Sequence, residues 1–447
     1  MPHSTKLPYR FETATDLPLE AAFDAGRLTS DGGLPWLAQA DAALGLCAAL
    51  ARCVPDWRRG PVRHRLHTLV QQRVFQITCG YADQNDADTL RTDPLLKLVC
   101  GRLPDSGFDL ASQPTLSRLE NAVDRHAAEA MAEALVAIYV QERGRAGPPH
   151  RILLDLDGTA DPAHGKQEGV AYHGYYRQHM YHPLLVFDGD TGQLITAVLR
   201  PGKAHASRFV VLLLRRLCRR LRAAWPDVRL ELRADSGFAV PRLYAWCEAN
   251  TVAYTIGLIP TKRLEALAAP LLAEAQAQSA AQGGVKVRLA GETRHQAGSW
   301  PHARRVVYKA EVLALGPNTR FVVTSHPEPP LVVYDTYVDR GQAENYIKDF
   351  KNALEADRLS DHRFWANQFR LFLHAAAYWL LGTLRTWLAG TEAATFQFDT
   401  LRLRLLKIAG RVRELSRRVR VSLASSHPGE PLWGHLATRA RPVNNPG

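Results

Sequence analysis

The sequence predicts an α/β protein: a mixed sheet with helical crossovers, flanked by helical N-terminal and C-terminal regions. Two observations carry this. After Gly147-Pro148-Pro149, short apolar and β-branched runs alternate with amphipathic stretches in the order strand, hairpin, helix, strand, helix, strand, which is how a sheet covered by helices reads. On both sides of that block, apolar residues recur at spacings of three and four, the period of helices buried on one face. A chain of 447 residues has room for about two to four domains.

Taken in order, residues 1–145 read as a helical region. Its apolar stretches DGGLPWLAQADAALGLCAALA and RHRLHTLVQQRVFQITCGY are separated by breaks at Pro55, Gly60 and Pro94. ASQPTLSRLENAV reads as a short helix capped by Ser112, with Pro114 in its first turn. Leu116, Leu119 and Val123 face inward; Thr115, Ser117 and Arg118 face outward, as in a helix that can lie in a groove. Residues 146–265 form the first part of the core. RILLDLDGT is a strand, HPLLVFDGDTGQLITAVLRPG a hairpin, and RFVVLLLRRLCRRLRAAW a helix with a basic outer face. RLELRADSGF is a strand ending in a turn, PRLYAWCEAN a helix, and VAYTIGLI a strand. Residues 266–330 begin Ala-rich and helical, then alternate from 285 to 325 like three or four antiparallel strands. Residues 331–395 are the second part of the core, and 396–447 a basic helical region ending in the loose tail ARPVNNPG.

Composition narrows the function. Hydrophobic residues at 46% and charged residues at 22% fit a chain with a real core rather than a disordered one. No apolar run approaches the ~20 residues of a membrane span, and the N-terminus lacks the apolar stretch of a secretory signal. The six cysteines include no C-x-x-C pair, so neither a disulfide framework nor a zinc ribbon is indicated. A cytoplasmic, nucleoid-associated protein without a membrane partner is expected. The net charge of +12 points to a polyanionic partner. Half of it lies between Asp399 and Arg420, where Arg402, Arg404, Lys407, Arg411, Arg413, Arg417, Arg418 and Arg420 oppose two acidic residues. Arg208, Arg215, Arg216, Arg219, Arg220 and Arg222 form a second cluster. Together they favour DNA or RNA. No G-x-x-x-x-G-K-[ST] run is present, which argues against a P-loop ATPase.

The most informative residues are acidic groups where a sheet would present them. Asp155 and Asp157 lie two apart on one strand and share a face. Asp235 ends the strand RLELRAD, and sites in open α/β sheets form at the carboxyl ends of strands. A helix from about Asp335 then carries Tyr337, Arg340, Glu344 and Lys351. At about 100° per residue these fall within a ~60° arc. His164, His173, His179 and His182 cluster as well, but at no common zinc spacing.

D-x-T on one strand, A-D-S-G-F on a later one and Y-x2-R-x3-E-x6-K on the helix together resemble DDE transposases of bacterial insertion sequences. The closer resemblance is to the insertion-sequence 1380 family, which carries this tyrosine–arginine–glutamate–lysine signature. It is supported by GRLTSDGGLPWLAQ, GYADQNDADTLRTDP, QPTLSRLEN, GYY and ANQFRLFLHAAAYWLL, from about Phe23 to Ser426. The resemblance implies an RNase H-like mixed sheet with a β-rich insertion. It implies Asp157, Asp235 and Glu344 as catalytic carboxylates holding Mg²⁺, with Mn²⁺ as substitute. Asp157 takes the D-x-T place, and Asp155 competes with it because both face the same way. Relatives often carry a second acidic residue where this chain has Gly158. Arg340 and Lys351 are expected to hold backbone phosphates, and Tyr337 to stack on a base or touch a phosphate. Arg118, Arg402, Arg404, Lys407, Arg411 and Arg413 would contact double-stranded DNA, both element ends and target, with the protein as a homodimer. The competing readings are a nuclease or resolvase that cuts without joining, and an inactive DNA-binding descendant.

Overall fold

Strand β1 (Arg151–Gly158) shows why the sheet forms where it does. Ile152, Leu153, Leu154 and Leu156 are all buried, so the strand carries the near-continuous apolar run of a parallel strand covered on both faces. In the computed structural model, which describes residues 8–163, 165–314 and 316–439, the chain forms two compact units. One is Met1–Ala122 with Ala376–Gly447; the other is Val123–Ala375.

The unit Val123–Ala375 is built on an eight-stranded sheet. Its strands are β1, β2 (Leu184–Asp188), β3 (Leu194–Val198), β4 (Arg229–Ala234), β5 (Val252–Leu258), β6 (Val287–His295), β7 (Arg304–Leu313) and β8 (Gly316–Thr324). Their order across the sheet is β6-β7-β8-β5-β4-β1-β2-β3. At the centre β1, β4 and β5 are parallel, and β2 and β3 extend β1 as an antiparallel hairpin. The stretch after residue 285 gives three strands, which join the same sheet through the pairing of β8 with β5. Strand β3 is one of the two edges, and its outer backbone is met by a side chain. Gln368 accepts from the Leu199 amide at 2.7 Å and donates to the Ala197 carbonyl at 3.2 Å, which blunts the edge against further pairing.

Helices cover the sheet. Helix α1 (Arg125–Arg143) packs on β3, and α3 (Pro241–Ala249) on β5. Helix α2 (Val210–Ala224) buries Val210, Leu214, Leu217, Cys218 and Leu221, one stripe of a 3.6-residue period, and exposes Arg215, Arg216, Arg219 and Arg220. Helix α4 (Lys262–Ala281) lies on β6 and β7. The single helix expected from Asp335 to Lys351 is instead α5 (Pro330–Val338), α6 (Gly341–Lys348) and a π turn at Asp349–Ala353. At the break the amides of Arg340, Gln342 and Ala343 bond back three residues rather than four, a tight turn beside Gly341, whose helix propensity is low. A small sheet of Asp161–Pro162, Ala171–His173 and Gln178–Tyr181 completes the unit and has no counterpart in the sequence reading.

In the other unit the N-terminal part is largely helical, through Leu34–Leu44, Leu46–Cys53, Leu66–Thr78 and Gln113–Asn121, but it also carries short strands at Tyr9–Phe11, Leu19–Ala21 and Leu28–Thr29. The cap of Gln113–Asn121 differs from expectation: Ser112 makes no capping bond, and the Asp88 carboxylate takes the Gln113 amide at 3.0 Å. The C-terminal region is corrected more strongly. Gly410–Leu415 and Arg418–Leu423 are not helical but form a β-hairpin that pairs with Leu28–Thr29. The tail ARPVNNPG lies outside the described residues. Among the described residues no single helix is long and apolar enough to cross a membrane; Leu34–Leu44 and Leu46–Cys53 pass together but are bent by 65°.

Candidate active site

Two parallel strands set the geometry. In register, Asp155 of β1 faces Arg233 of β4, and Leu156 faces Ala234. One step further, Asp157 and Asp235 emerge together at the carboxyl ends. Asp235 begins a 3₁₀ turn at Ser236–Phe238 and accepts the Gly237 amide at 2.8 Å. The turn between α5 and α6 brings Arg340 to the same place, with its Nη1 3.2 Å from Oδ2 of Asp157. Tyr337 reaches in from α5. A Cβ on Gly257 of β5 would stand 2.5 Å from its hydroxyl oxygen and 3.0 Å from the Ser236 amide nitrogen, so the glycine makes room for the tyrosine.

The charges converge. Burial pushes the Asp157 carboxyl up to about 7; Arg340 opposes this, while Asp235 and Glu344 add to it. Burial works to lower Arg340, but Asp157, Tyr337, Asp235 and Glu344 together raise it. Burial raises Tyr337, with Asp235 adding and Arg340 opposing. Glu344 itself is exposed on α6. Asp157, Asp235, Glu344, Tyr337 and Arg340 therefore share one electrostatic neighbourhood.

Asp155 is in a different situation. Arg233 grips it with two bonds of 2.6 Å, from Nε to Oδ1 and from Nη2 to Oδ2, and spends Nη1 on the Thr336 carbonyl at 2.6 Å. Both side chains are buried. Lys351 also stands apart from the carboxylates: its ammonium donates to the Ala160 carbonyl and lies 3.7 Å from Asp357. In the other unit, Arg118 is exposed on Gln113–Asn121. Arg402 donates to the Thr78 carbonyl at 3.0 Å. Lys407 pairs with Asp31 at 2.8 Å and sits 3.9 Å over the Tyr81 ring. Arg404, Arg411 and Arg413 are exposed. On the hairpin Arg413 is the cross-strand partner of Arg420, and Arg411 of Ser422, so their side chains share one solvent face.

The donor set suits a small divalent ion, because hard carboxylate oxygens are what Mg²⁺ and Mn²⁺ take. A half-buried Asp157 pressed by two like charges also calls for added positive charge. As placed, no group of three His, Cys, Asp or Glu among the described residues is drawn together closely enough to hold a metal. This includes His173, His179 and His182; His164 lies outside the described residues. Sequence reasoning missed Arg233 and Gly257. The signal for Arg233 was available: it precedes Asp235 by two on an alternating strand, so both share a face.

The chain matches the family described as transposase DDE domain group 1 over residues 11–445. No curated protein matches it. Among solved structures, the cryo-EM structure of the piggyBac transposase synaptic complex with hairpin DNA is similar with a TM-score of 0.45 and 10% identity, covering 85% of this chain and 80% of that one. With nearly its whole length matched by the family, the chain belongs to the DDE transposases of domain group 1.

Proposed function

We propose that this transposase binds the terminal inverted repeats of a bacterial insertion sequence, cleaves the strands there and joins the 3′ ends to target DNA. The observation that carries the reading is that Asp157 and Asp235 leave the carboxyl ends of two adjacent parallel strands, with Arg340 3.2 Å from Asp157; Glu344 follows on the next helix and adds its charge to theirs. We place the chain in the insertion-sequence 1380 branch on its signature residues. The strands β3-β2-β1-β4-β5 are then the RNase H-like core, and β6 to β8 the insertion.

Asp157, rather than Asp155, is the first metal ligand in this reading, because Asp155 is committed to Arg233. Asp235 and Glu344 complete the set for Mg²⁺ or Mn²⁺. A bound divalent ion supplies activation of the attacking oxygen and stabilisation of the leaving one. Arg340 offers guanidinium donors to phosphate oxygens beside the carboxylates, and Tyr337 a hydroxyl on the same side. Lys351 serves by holding the Ala160 backbone where the chain leaves β1. Affinity for the duplex comes from exposed arginines, including Arg118, Arg404, Arg411 and Arg413. A homodimer would hold the two ends together in the nucleoid.

The test is to incubate labelled DNA flanking the gene with protein and Mg²⁺ or Mn²⁺, map cuts, and score joined products. Metal-dependent cuts at matched inverted repeats, followed by joining, are the expected result. Cutting without joining would identify a nuclease, and binding without cutting an inactive descendant.

A further inference from the structure

The loop between the helices Leu46–Cys53 and Leu66–Thr78 reads D-W-R-R-G-P-V-R-H over 56–64. Pro55, Pro61 and Gly60, with a left-handed φ of 82°, keep it from continuing either helix. Arg58 fixes its shape: Nε and Nη2 grip Asp56 at 2.7 and 2.8 Å, and Nη1 donates to the His64 carbonyl. From outside the loop, Arg102 Nη2 donates to the Arg63 carbonyl at 2.6 Å. The Arg63 guanidinium lies 4.8 Å from the centre of the Phe108 ring.

This loop is one wall of an open pocket of about 690 Å³. The other walls include Arg91, just after Asp86–Leu90, and the start of the helix Gln113–Asn121. These pieces are pinned to each other, since the Leu110 amide donates to the Arg91 carbonyl at 3.1 Å and the Gln113 amide to Asp88 at 3.0 Å. The helix end is thus already capped, and the charge of the pocket comes from side chains.

Three arginines that line it, Arg59, Arg63 and Arg91, have no carboxylate partner among the described residues. Its one acidic residue, Asp109, lies 3.6 Å from the buried ammonium of Lys97. Arg59 and Arg63 are exposed, and water satisfies them. Arg91 is half-buried, with its Nε closed to solvent and unbonded, and a cation so enclosed is costly without a partner. The His64 imidazole is held below its usual range by burial first, then by Arg102, Arg63 and Arg58. The pocket lacks an anion.

Its surroundings say which anion. A small ion held alone wants an enclosed cradle, whereas this pocket opens between the exposed Arg59, Val62 and Arg63. The loop that carries Phe108 is also fastened to the C-terminal hairpin. Glu414 accepts from the Asp105 and Ser106 amides at 2.8 and 3.2 Å and from the Ser106 hydroxyl at 2.5 Å. Glu414 is the only carboxylate of that hairpin, and the tie leaves Arg411, Arg413 and Arg420 without an acidic partner. Pocket and hairpin therefore form one basic tract with an exposed aromatic, as a nucleic-acid surface does.

We propose that the pocket seats a backbone phosphate of duplex DNA, paired with Arg91 and flanked by Arg59 and Arg63, while the hairpin arginines hold phosphates further along. This rests on the transposase reading above, which supplies the DNA, and it names the part of the chain that grips it. Arg118, three residues on from Thr115 of the pocket wall, shares that helix face.

The experiment measures binding of the flanking duplex DNA in EDTA over a range of salt, with one phosphate at a time replaced by a neutral methylphosphonate. Arg91→Met keeps the aliphatic stem and removes the charge, and it should lower the slope of log affinity against log salt by about 0.9. Arg59→Gln with Arg63→Gln should lower it by about 1.8, and melting should not fall in either protein. In the wild type a methylphosphonate at one position should weaken binding about 10-fold; in Arg91→Met that position should have no effect. Unchanged slopes in both variants, or the same methylphosphonate profile in wild type and Arg91→Met, overturn the proposal. So does stabilisation by inorganic phosphate that Arg91→Met loses while its duplex affinity stays that of the wild type, because the pocket then holds a small anion. If Arg91→Met does not fold, the double variant, whose side chains are exposed, decides alone. Cutting in Mg²⁺ is scored separately: a wild type that binds with the expected slopes and never cuts counts against the transposase reading and not against the pocket.

Discussion

Two aspartates on one strand live under opposite conditions. At the level of Asp155 the neighbouring strand supplies Arg233, and the pair closes with two 2.6 Å bonds. One level on, Asp157 has Asp235 beside it in place of an arginine, with Arg340 at a longer 3.2 Å. The sequences D-L-D and R-A-D thus put unlike charges together at one level and like charges at the next. The first level satisfies itself. The second is unfavourable alone and makes sense only with added positive charge, which is how a site differs from a structural ion pair.

The sharpest way to break this contrast is to neutralise each level in turn. Asp157→Asn, Asp235→Asn and Glu344→Gln should each lower cutting by roughly 10³-fold or more, over 4 kcal/mol of barrier, while melting stays level or rises. Asp155→Asn should do the reverse. It leaves Arg233 buried without its carboxylate, a loss of about 3–5 kcal/mol, which denaturant unfolding would register. The double change Asp155→Leu with Arg233→Met should recover most of that stability, since removing both charges avoids the orphan. If Asp155→Asn folds normally yet cannot cut, the roles assigned to the two aspartates are exchanged.

The pH dependence of stability follows from the same contrast. In the metal-free protein, burial and its acidic neighbours hold Asp157 at about 7, against an ordinary 3.8. The folded state therefore binds a proton more readily than the unfolded state between those values. Its stability should fall as pH rises from about 4 to 7, by at most about 4 kcal/mol at 1.36 kcal/mol per unit. Asp157→Asn should flatten that slope and be the more stable protein at pH 8. A wild-type slope unchanged in Asp157→Asn would mean that the unfavourable charge lies elsewhere.

Much of this site could be read from residues alone, because it rests on short-range patterns. The apolar run of β1 and the buried stripe of α2 each fix their element locally. What could not be read depends on pairing across distance. Nothing near Asp155 shows that Arg233 faces it; that follows from the register of β1 with β4. The C-terminal hairpin was misread because Val412, Leu415 and Val419 are spaced by three and four, as in a helix. Val419, Val421 and Leu423 alternate, as in a strand. Two periods compete over a short basic run, and pairing with Leu28–Thr29 decides between them. The stripe from Tyr337 to Lys351 assumed one straight helix, yet Tyr337, Arg340 and Glu344 still meet because the turn at Gly341 keeps them on the side of β1 and β4. Lys351, inside the π turn, does not join them.

The distinction between a committed charge and an available one also separates the basic residues of the other unit, with the smallest effect. Lys407 is held by Asp31 and Tyr81, much as Asp155 is held by Arg233. Arg413 stands exposed on the hairpin opposite Arg420. Two arginines facing each other across strands repel, which a hairpin selected for stability alone would avoid; a phosphate backbone laid over them turns that repulsion into binding. Arg413→Gln should therefore lower the slope of log affinity against log salt by about 0.9, one phosphate contact on duplex DNA, and leave melting unchanged or slightly higher. Lys407→Gln should leave the salt slope alone and lower the melting temperature, because it strips Asp31 of its buried partner. Equal salt slopes in the wild type and Arg413→Gln would remove the hairpin from the DNA-contacting surface, and the excess charge would then have to act through the pocket arginines or the outer face of α2.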